Sequence, residues 1–259
     1  MRRPAWTTGV AIYLGYVALI FTAWVVIGVD YRKLVGADVV FKSVVLPLTL
    51  GALLLVPAVT WLGWWRPVMI EERRGGPAWT MWAILAVMAA MIVTGLASTD
   101  WSALAVGHVA LIALAGVLVG FNEEALTRGI LIVGFRGSIR SEVWVCIWSA
   151  ALFGLLHLIN AFFGLGLVGG LLQVVMAGCA GLGFYVLRRV SGGLLLPMAM
   201  HGLWDFASFT HQASGSEPAA ISPVFQFGTY LVSIIAVILV LRHHAKPQAG
   251  TARLEGETP

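Results

Sequence analysis

Charge is what this chain has least of. Asp, Glu, Lys and Arg together make up 11% of its 259 residues, where a soluble globular domain carries about a quarter. Hydrophobic residues reach 59% and the mean hydropathy is +0.91, which excludes a water-soluble domain and indicates an integral membrane protein. There are only two cysteines, Cys146 and Cys179, both inside apolar runs, so no disulfide framework is expected. No H-E-x-x-H zinc signature is present. No serine or cysteine stands in a nucleophile context; packing or backbone bonding accounts for Ser149 and Ser208. The inverted repeat that marks many transporters is missing as well.

What the chain does have is a series of segments near the length of about 20 apolar residues that a membrane crossing needs. Eight qualify, at 8–29, 43–65, 79–98, 103–126, 142–163, 165–187, 193–211 and 223–242. The expected fold is therefore all-α, a polytopic bundle of about eight transmembrane helices. Three spans occupy residues 1–102, a polar-bearing core 103–210 and a last span 211–245, and a polar, disordered tail follows at 246–259. The Met-Arg-Arg start resembles a secretory signal, but its apolar run is too long and lacks a cleavage site, so it reads as an uncleaved first helix. Trp61, Trp64, Trp65, Trp79 and Trp101 suit the membrane interface. Gly166-x-x-x-Gly170 with Gly178, Gly181 and Gly183 suits close helix packing within the monomer.

The net charge of +4 does not indicate a nucleic-acid partner, because the basic residues follow membrane topology. With the N-terminus inside, Arg2, Arg3, Arg66, Arg73, Arg74, Arg136, Arg140, Arg188, Arg189, Arg242, Lys246 and Arg253 fall on one side; Arg32, Lys33 and Lys42 fall on the other. The positive-inside rule puts both termini in the cytoplasm, in the cytoplasmic membrane of the cell.

A few ionisable residues interrupt the apolar runs: Glu123, Glu124, Arg128, His157, His201 and Asp205. Each costs about 2.5–3.5 kcal/mol near a bilayer centre, so such residues persist where they pair, line a wet cavity or do chemistry. Glu124 and Arg128 are spaced i, i+4 and can neutralise each other, which leaves Glu123 as the odd carboxylate. His201 and Asp205 share that spacing, so the carboxylate can reach and orient the imidazole. Pro197, one turn earlier, is expected to kink that helix. Glu123 lies thirteen residues before Arg136, His157 seventeen after Arg140 and His201 twelve after Arg189. At 1.5 Å per residue these are roughly 20, 25 and 18 Å from one basic edge, so three helices bring polar groups to a similar depth. A carboxylate with two histidines can bind zinc, with Glu123, His157 and His201 as ligands. The same set also suits metal-free hydrolysis with Glu123 as base, and no cofactor is the favoured reading.

At these residues the chain resembles the CAAX protease and bacteriocin-processing (Abi) family of intramembrane endopeptidases. The family motif E-E-x-x-x-R reads Glu123-Glu124-Ala-Leu-Thr-Arg128, F-x-x-x-H reads Phe153 to His157, and H-x-x-x-N/D reads His201 to Asp205. The resemblance covers about residues 103–210. It implies a membrane-embedded protease acting on a protein or peptide substrate, prenylated or not, in which Glu123 and His157 activate water. His201 with Asp205 would stabilise the oxyanion, and Glu124, Arg128 and Phe153 would support the site. Prenyl-protein members carry Asn at the last motif position. Here either Asp205 carries a proton, or it holds His201 as the imidazolium and lets that ring donate. The rival readings are a non-enzymatic scaffold or immunity-type protein that keeps the fold, and a proton-coupled transporter.

The charge asymmetry gives a topology test. After replacement of Cys146 and Cys179, single cysteines at Ser138 and Ser216 should differ in accessibility. A reagent confined to the outside should label position 216 alone, and labelling at 138 would reverse the orientation.

Overall fold

The computed structural model describes residues 1–245; the tail expected at 246–259 lies outside the described residues. Among the described residues there is no strand, and one isolated bridge pairs Ile70 with Gly193. The principal helices are α1 (Trp6–Ile27), α2 (Phe41–Leu62), α3 (Ala78–Ala97), α4 (Val106–Arg136), α5 (Glu142–Leu156), α6 (Gly166–Ser191), α7 (Leu195–Ser214) and α8 (Ser222–Ala245). Six segments are long and apolar enough to cross a membrane, those of α1 to α4, α6 and α8. The two that fall short are the ones that place His157 and His201: α5, which His157 caps, has 15 residues, and α7 has 20 but is diluted by polar side chains. The all-helical membrane fold is as expected.

Two helix bounds differ from the sequence reading, each for a local reason. The fourth helix does not stop at 126 but continues to Arg136, through a stretch of wide π-helical turns at Ala125–Leu131. Such turns are frequent at functional sites because they displace side chains and free backbone carbonyls. Within this stretch the Arg128 carbonyl accepts from the Arg188 guanidinium. The fifth helix ends at Leu156, seven residues short of the expected 163. Tight turn bonds from the His157 and Leu158 amides to the Gly154 and Leu155 carbonyls close it, so His157 caps a half-length helix. Pro197 does not kink α7. It sits in the first turn, where no N–H is required.

The bundle is organised around α4, which packs against α7, while α5 packs against α6; α3 and α8 flank one side, α1 and α2 the other. The crossing of α4 and α7 depends on Gly116 and Gly202. A Cβ on either would come within 2.7 Å of the other's carbonyl oxygen, so only glycine lets the two backbones touch. Of the glycines expected to pack within the monomer, Gly170 lies against Ala161, Gly178 and Gly181 against Ala150 and Gly183 against Ser233, whereas Gly166 faces open space. Trp64 is not an interface anchor: it is fully buried and donates its indole N–H to the Arg2 carbonyl over 2.8 Å. Trp61, Trp79 and Trp101 are exposed.

Both ends of the described chain lie at one end of the bundle. The Arg2 amide bonds the Leu62 carbonyl, the Trp6 amide bonds Ser138 Oγ, and Gly76 packs against Val240. At this end the arginines counted for topology form a buried network. Glu71 accepts from Arg136 and Arg188, both over 2.8 Å. Glu142 pairs with Arg73 at 2.8 Å, Arg136 at 2.5 Å and Arg189 at 2.9 Å, and accepts from the Tyr185 hydroxyl at 2.6 Å. Arg188 and Arg189 are wholly buried. Their position is explained by pairing.

Burial pushes the Glu71 carboxyl upward, but the Arg136 and Arg188 guanidiniums beside it outweigh burial and hold it below its ordinary value. A lowered carboxylate contributes stability above its unfolded value of about 4.3, and that contribution is lost as pH falls through the folded value. The apparent Tm in detergent should therefore fall on acidification below about pH 4.3. Glu71→Gln should flatten that fall and cost about 3–5 kcal/mol at neutral pH, because it strands buried arginines. An identical acid profile in the variant would remove Glu71 from this role.

Candidate active site

Three helices, α4, α5 and α7, deliver the polar residues to one place in the bundle interior, and α6 lines it with Phe184. The wide turns after Glu124 keep Glu124 and Arg128 in contact, with Arg128 Nη1 3.1 Å from Glu124 Oε1 and both side chains fully buried. Arg128 lies over the Phe153 ring, 3.8 Å from its centroid, and Gly181 leaves room for it: a Cβ there would lie 2.8 Å from Nη2. Thr127 accepts from Arg128 Nη1 over 2.5 Å and donates back to the Glu123 carbonyl over 2.6 Å.

His201 is held from three sides. Its Nδ1 is 2.9 Å from Glu124 Oε1. Phe184 stacks on it at 4.7 Å, and Phe153 meets it edge-on at 5.5 Å. The group that orients His201 is therefore Glu124. The Asp205 carboxylate, expected in that role, stands 3.9 Å from the other nitrogen, Nε2, too far for a hydrogen bond. His157 is oriented by its own helix, with Nδ1 3.0 Å from the Phe153 carbonyl. A carbonyl only accepts, so Nδ1 carries the proton and Nε2 is left with its lone pair.

Glu123 faces both rings. Its Oε2 lies 3.9 Å from His157 Nε2 and 3.9 Å from His201 Nε2, and makes no hydrogen bond to another protein group among the described residues. The adjacent glutamates thus address His201 from its two ring nitrogens, Glu124 at Nδ1 and Glu123 near Nε2. Two cavities meet here. One of about 150 Å³ is walled by Glu123, His157 and Asp205 together with Tyr16, Tyr31, Asn160 and Gln173. The other, of about 180 Å³, is walled by His157, His201, Asp205, Phe153, Phe184 and Gln173.

All seven residues singled out from the sequence, Glu123, Glu124, Arg128, Phe153, His157, His201 and Asp205, are brought together. Sequence reasoning missed Phe184, Tyr31, Gln173 and Thr127; an aromatic, an amide or a threonine in an apolar run gives no warning. Ser149 and Ser208 have the backbone roles expected, donating to the Thr127 carbonyl and the Trp204 carbonyl, each over 2.9 Å. Cys146 and Cys179 are free thiols. Among the described residues no group of three His, Cys, Asp or Glu side chains is arranged to hold a metal ion.

Glu124→Gln and Arg128→Ala should each lower folded yield and thermal stability by about 3–5 kcal/mol, since each leaves a buried charge without its partner. Size-exclusion profiles and apparent Tm in detergent measure this. Near-normal stability in both variants would show that the pair is not structural.

Residues 105–207 match the family model described as Type II CAAX prenyl endopeptidase Rce1-like, in agreement with the motif resemblance. No curated protein and no solved structure matches the chain.

Proposed function

We propose that this membrane protein, with its Rce1-like stretch at 105–207, is an intramembrane endopeptidase that hydrolyses peptide bonds without a metal. The observation that carries the reading is Glu123 Oε2, free of protein partners and 3.9 Å from the Nε2 of each histidine. That separation is too long for direct bonding but suits a water bridging the groups. Two zinc ligands at about 2.0–2.1 Å in tetrahedral array stand closer together, at about 3.4 Å.

In this mechanism Glu123 takes a proton from water as the oxygen attacks the scissile carbonyl, while His157 Nε2 accepts the second water hydrogen and aims the nucleophile. The carbonyl oxygen becomes an oxyanion beside His201. Nδ1 of that ring is tied to Glu124, so Nε2 donates only when the ring is an imidazolium, and the Glu124 and Asp205 carboxylates supply its counter-charge while Glu123 holds the proton taken from water. Glu123 then passes its proton to the leaving amine as the C–N bond breaks. Asp205 thereby does its work as an anion, and the Asn of the prenyl-protein members is not needed. The substrates are membrane-associated peptides, with prenylated CAAX-like sequences as the leading class. The bundle crosses the membrane with eight helices, and the arginine-rich end, with both termini, faces the cytoplasm.

Purified protein exhaustively dialysed against a chelator should keep full activity while holding far less than one zinc per chain. Glu123→Gln should fold normally and lose at least about a hundredfold in rate, as loss of a general base does. Activity lost on stripping and restored by zinc alone would overturn the metal-free mechanism. A Glu123→Gln rate above about a tenth of wild type would overturn its role as base.

A further inference from the structure

The cavity walled by Glu123, His157 and Asp205 contains a second set of polar groups that the hydrolytic mechanism does not use. Asn160 Nδ2 donates to Gln173 Oε1 over 2.9 Å, and Gln173 Nε2 donates to the Tyr31 hydroxyl over 2.8 Å. The three come from separate places: the turn after α5, the second turn of α6, and the loop between α1 and α2. All three wall the cavity that Glu123, His157 and Asp205 also wall, and Gln173 reaches the second cavity as well. Much of the remaining wall is apolar, including Ile20, Leu34, Val119 and Ile159. The chain starts one turn from the hydrolytic pair, since the Asn160 amide bonds the His157 carbonyl.

The inventory of donors and acceptors gives the chain a direction. Gln173 uses its oxygen on Asn160 and one amide hydrogen on Tyr31. Asn160 Oδ1 makes none of these bonds and remains an acceptor, while the Tyr31 hydroxyl, having accepted, still has its hydrogen to donate. Flipping both amides reverses the direction but again leaves an acceptor at one end and a donor at the other. An extended peptide residue presents the complement, one N–H and one C=O. A peptide drawn into an apolar cavity at membrane depth needs such partners, because no bulk water is there to satisfy its backbone.

We infer that Asn160, Gln173 and Tyr31 form a main-chain clamp, a subsite that binds one residue of the substrate peptide through its backbone, with Asn160 Oδ1 accepting the peptide N–H and the Tyr31 hydroxyl donating to the peptide C=O. This rests on the endopeptidase reading and deepens it. The clamp holds the backbone rather than a side chain, so it sets the register of the scissile bond beside Glu123 while leaving side-chain identity open.

The test uses the full chain in detergent and a farnesylated hexapeptide ending in Cys-Val-Ile-Met, with derivatives N-methylated singly at each amide from the cysteine onward. On the wild-type protein one N-methyl position should lower kcat/KM about three- to tenfold more than it does on Asn160→Leu, the effect of one hydrogen bond. Each comparison is a ratio of two peptides on one preparation, so a reduced folded fraction cancels. Tyr31→Phe, which removes only the hydroxyl, should raise KM about three- to tenfold at unchanged kcat. The clamp is overturned if every N-methyl penalty is the same in wild type and Asn160→Leu, or if Tyr31→Phe lowers kcat alone. A wild-type chain that cleaves none of the peptides, the unmethylated one included, overturns the endopeptidase reading for this substrate class and the clamp with it.

Discussion

One carboxylate, Glu124, ties the candidate active site together. It is fully buried, 3.1 Å from the Arg128 guanidinium on its own helix and 2.9 Å from His201 Nδ1 on α7. Taken singly each of these groups would be prohibitive in an apolar interior, and the triad is tolerable only because each charge has a partner. The same contacts fix the contact of α4 with α7 and the orientation of His201. By absorbing Arg128, Glu124 also leaves its neighbour Glu123 without a protein partner at Oε2. A carboxylate oxygen poised between two imidazoles is the result of that division of labour between adjacent glutamates.

A second layer of charge supports the first. Arg188 reaches from α6 to Glu71 over 2.8 Å and to the Pro67 and Val68 carbonyls, and also donates to the Arg128 carbonyl in the wide turns of α4. The arginine network at the terminal end of the bundle is thereby bonded directly to the helix that presents Glu123 and Glu124. Arg188 thereby gives a buried backbone carbonyl of the π-helical stretch a charged donor.

Much of this was legible in the sequence. Charges inside apolar runs are costly enough to stand out, and equal depth on separate helices foretold that Glu123, His157 and His201 would meet. The i, i+4 pair of Glu124 and Arg128 also followed from spacing. Spacing misassigned the partner of His201, because Asp205 at i+4 is within reach along the helix whereas Glu124 arrives from another helix through the Gly116–Gly202 contact. The ends of α4 and α5 escape hydropathy for a related reason: Glu123, Glu124 and Arg128 read as the close of an apolar run that in fact resumes at 130–135, and a half-helix stopped at a histidine leaves the average unchanged. Basic residues near helix ends look like topology markers in the sequence, and only the fold reveals that Arg188 and Arg189 are buried in ion pairs. Phe184, Gln173 and Tyr31 carried no signal, since their roles depend entirely on what lies opposite them.

The most direct measurement of the central claim needs no knowledge of the substrate: quantitative peptidomics of membranes from cells producing wild-type protein or Glu123→Gln at matched levels. The account predicts a set of peptide termini that appear with the wild type and vanish with the variant, generated at or near membrane-associated segments. Indistinguishable peptide profiles, with both proteins folded and inserted, would contradict it.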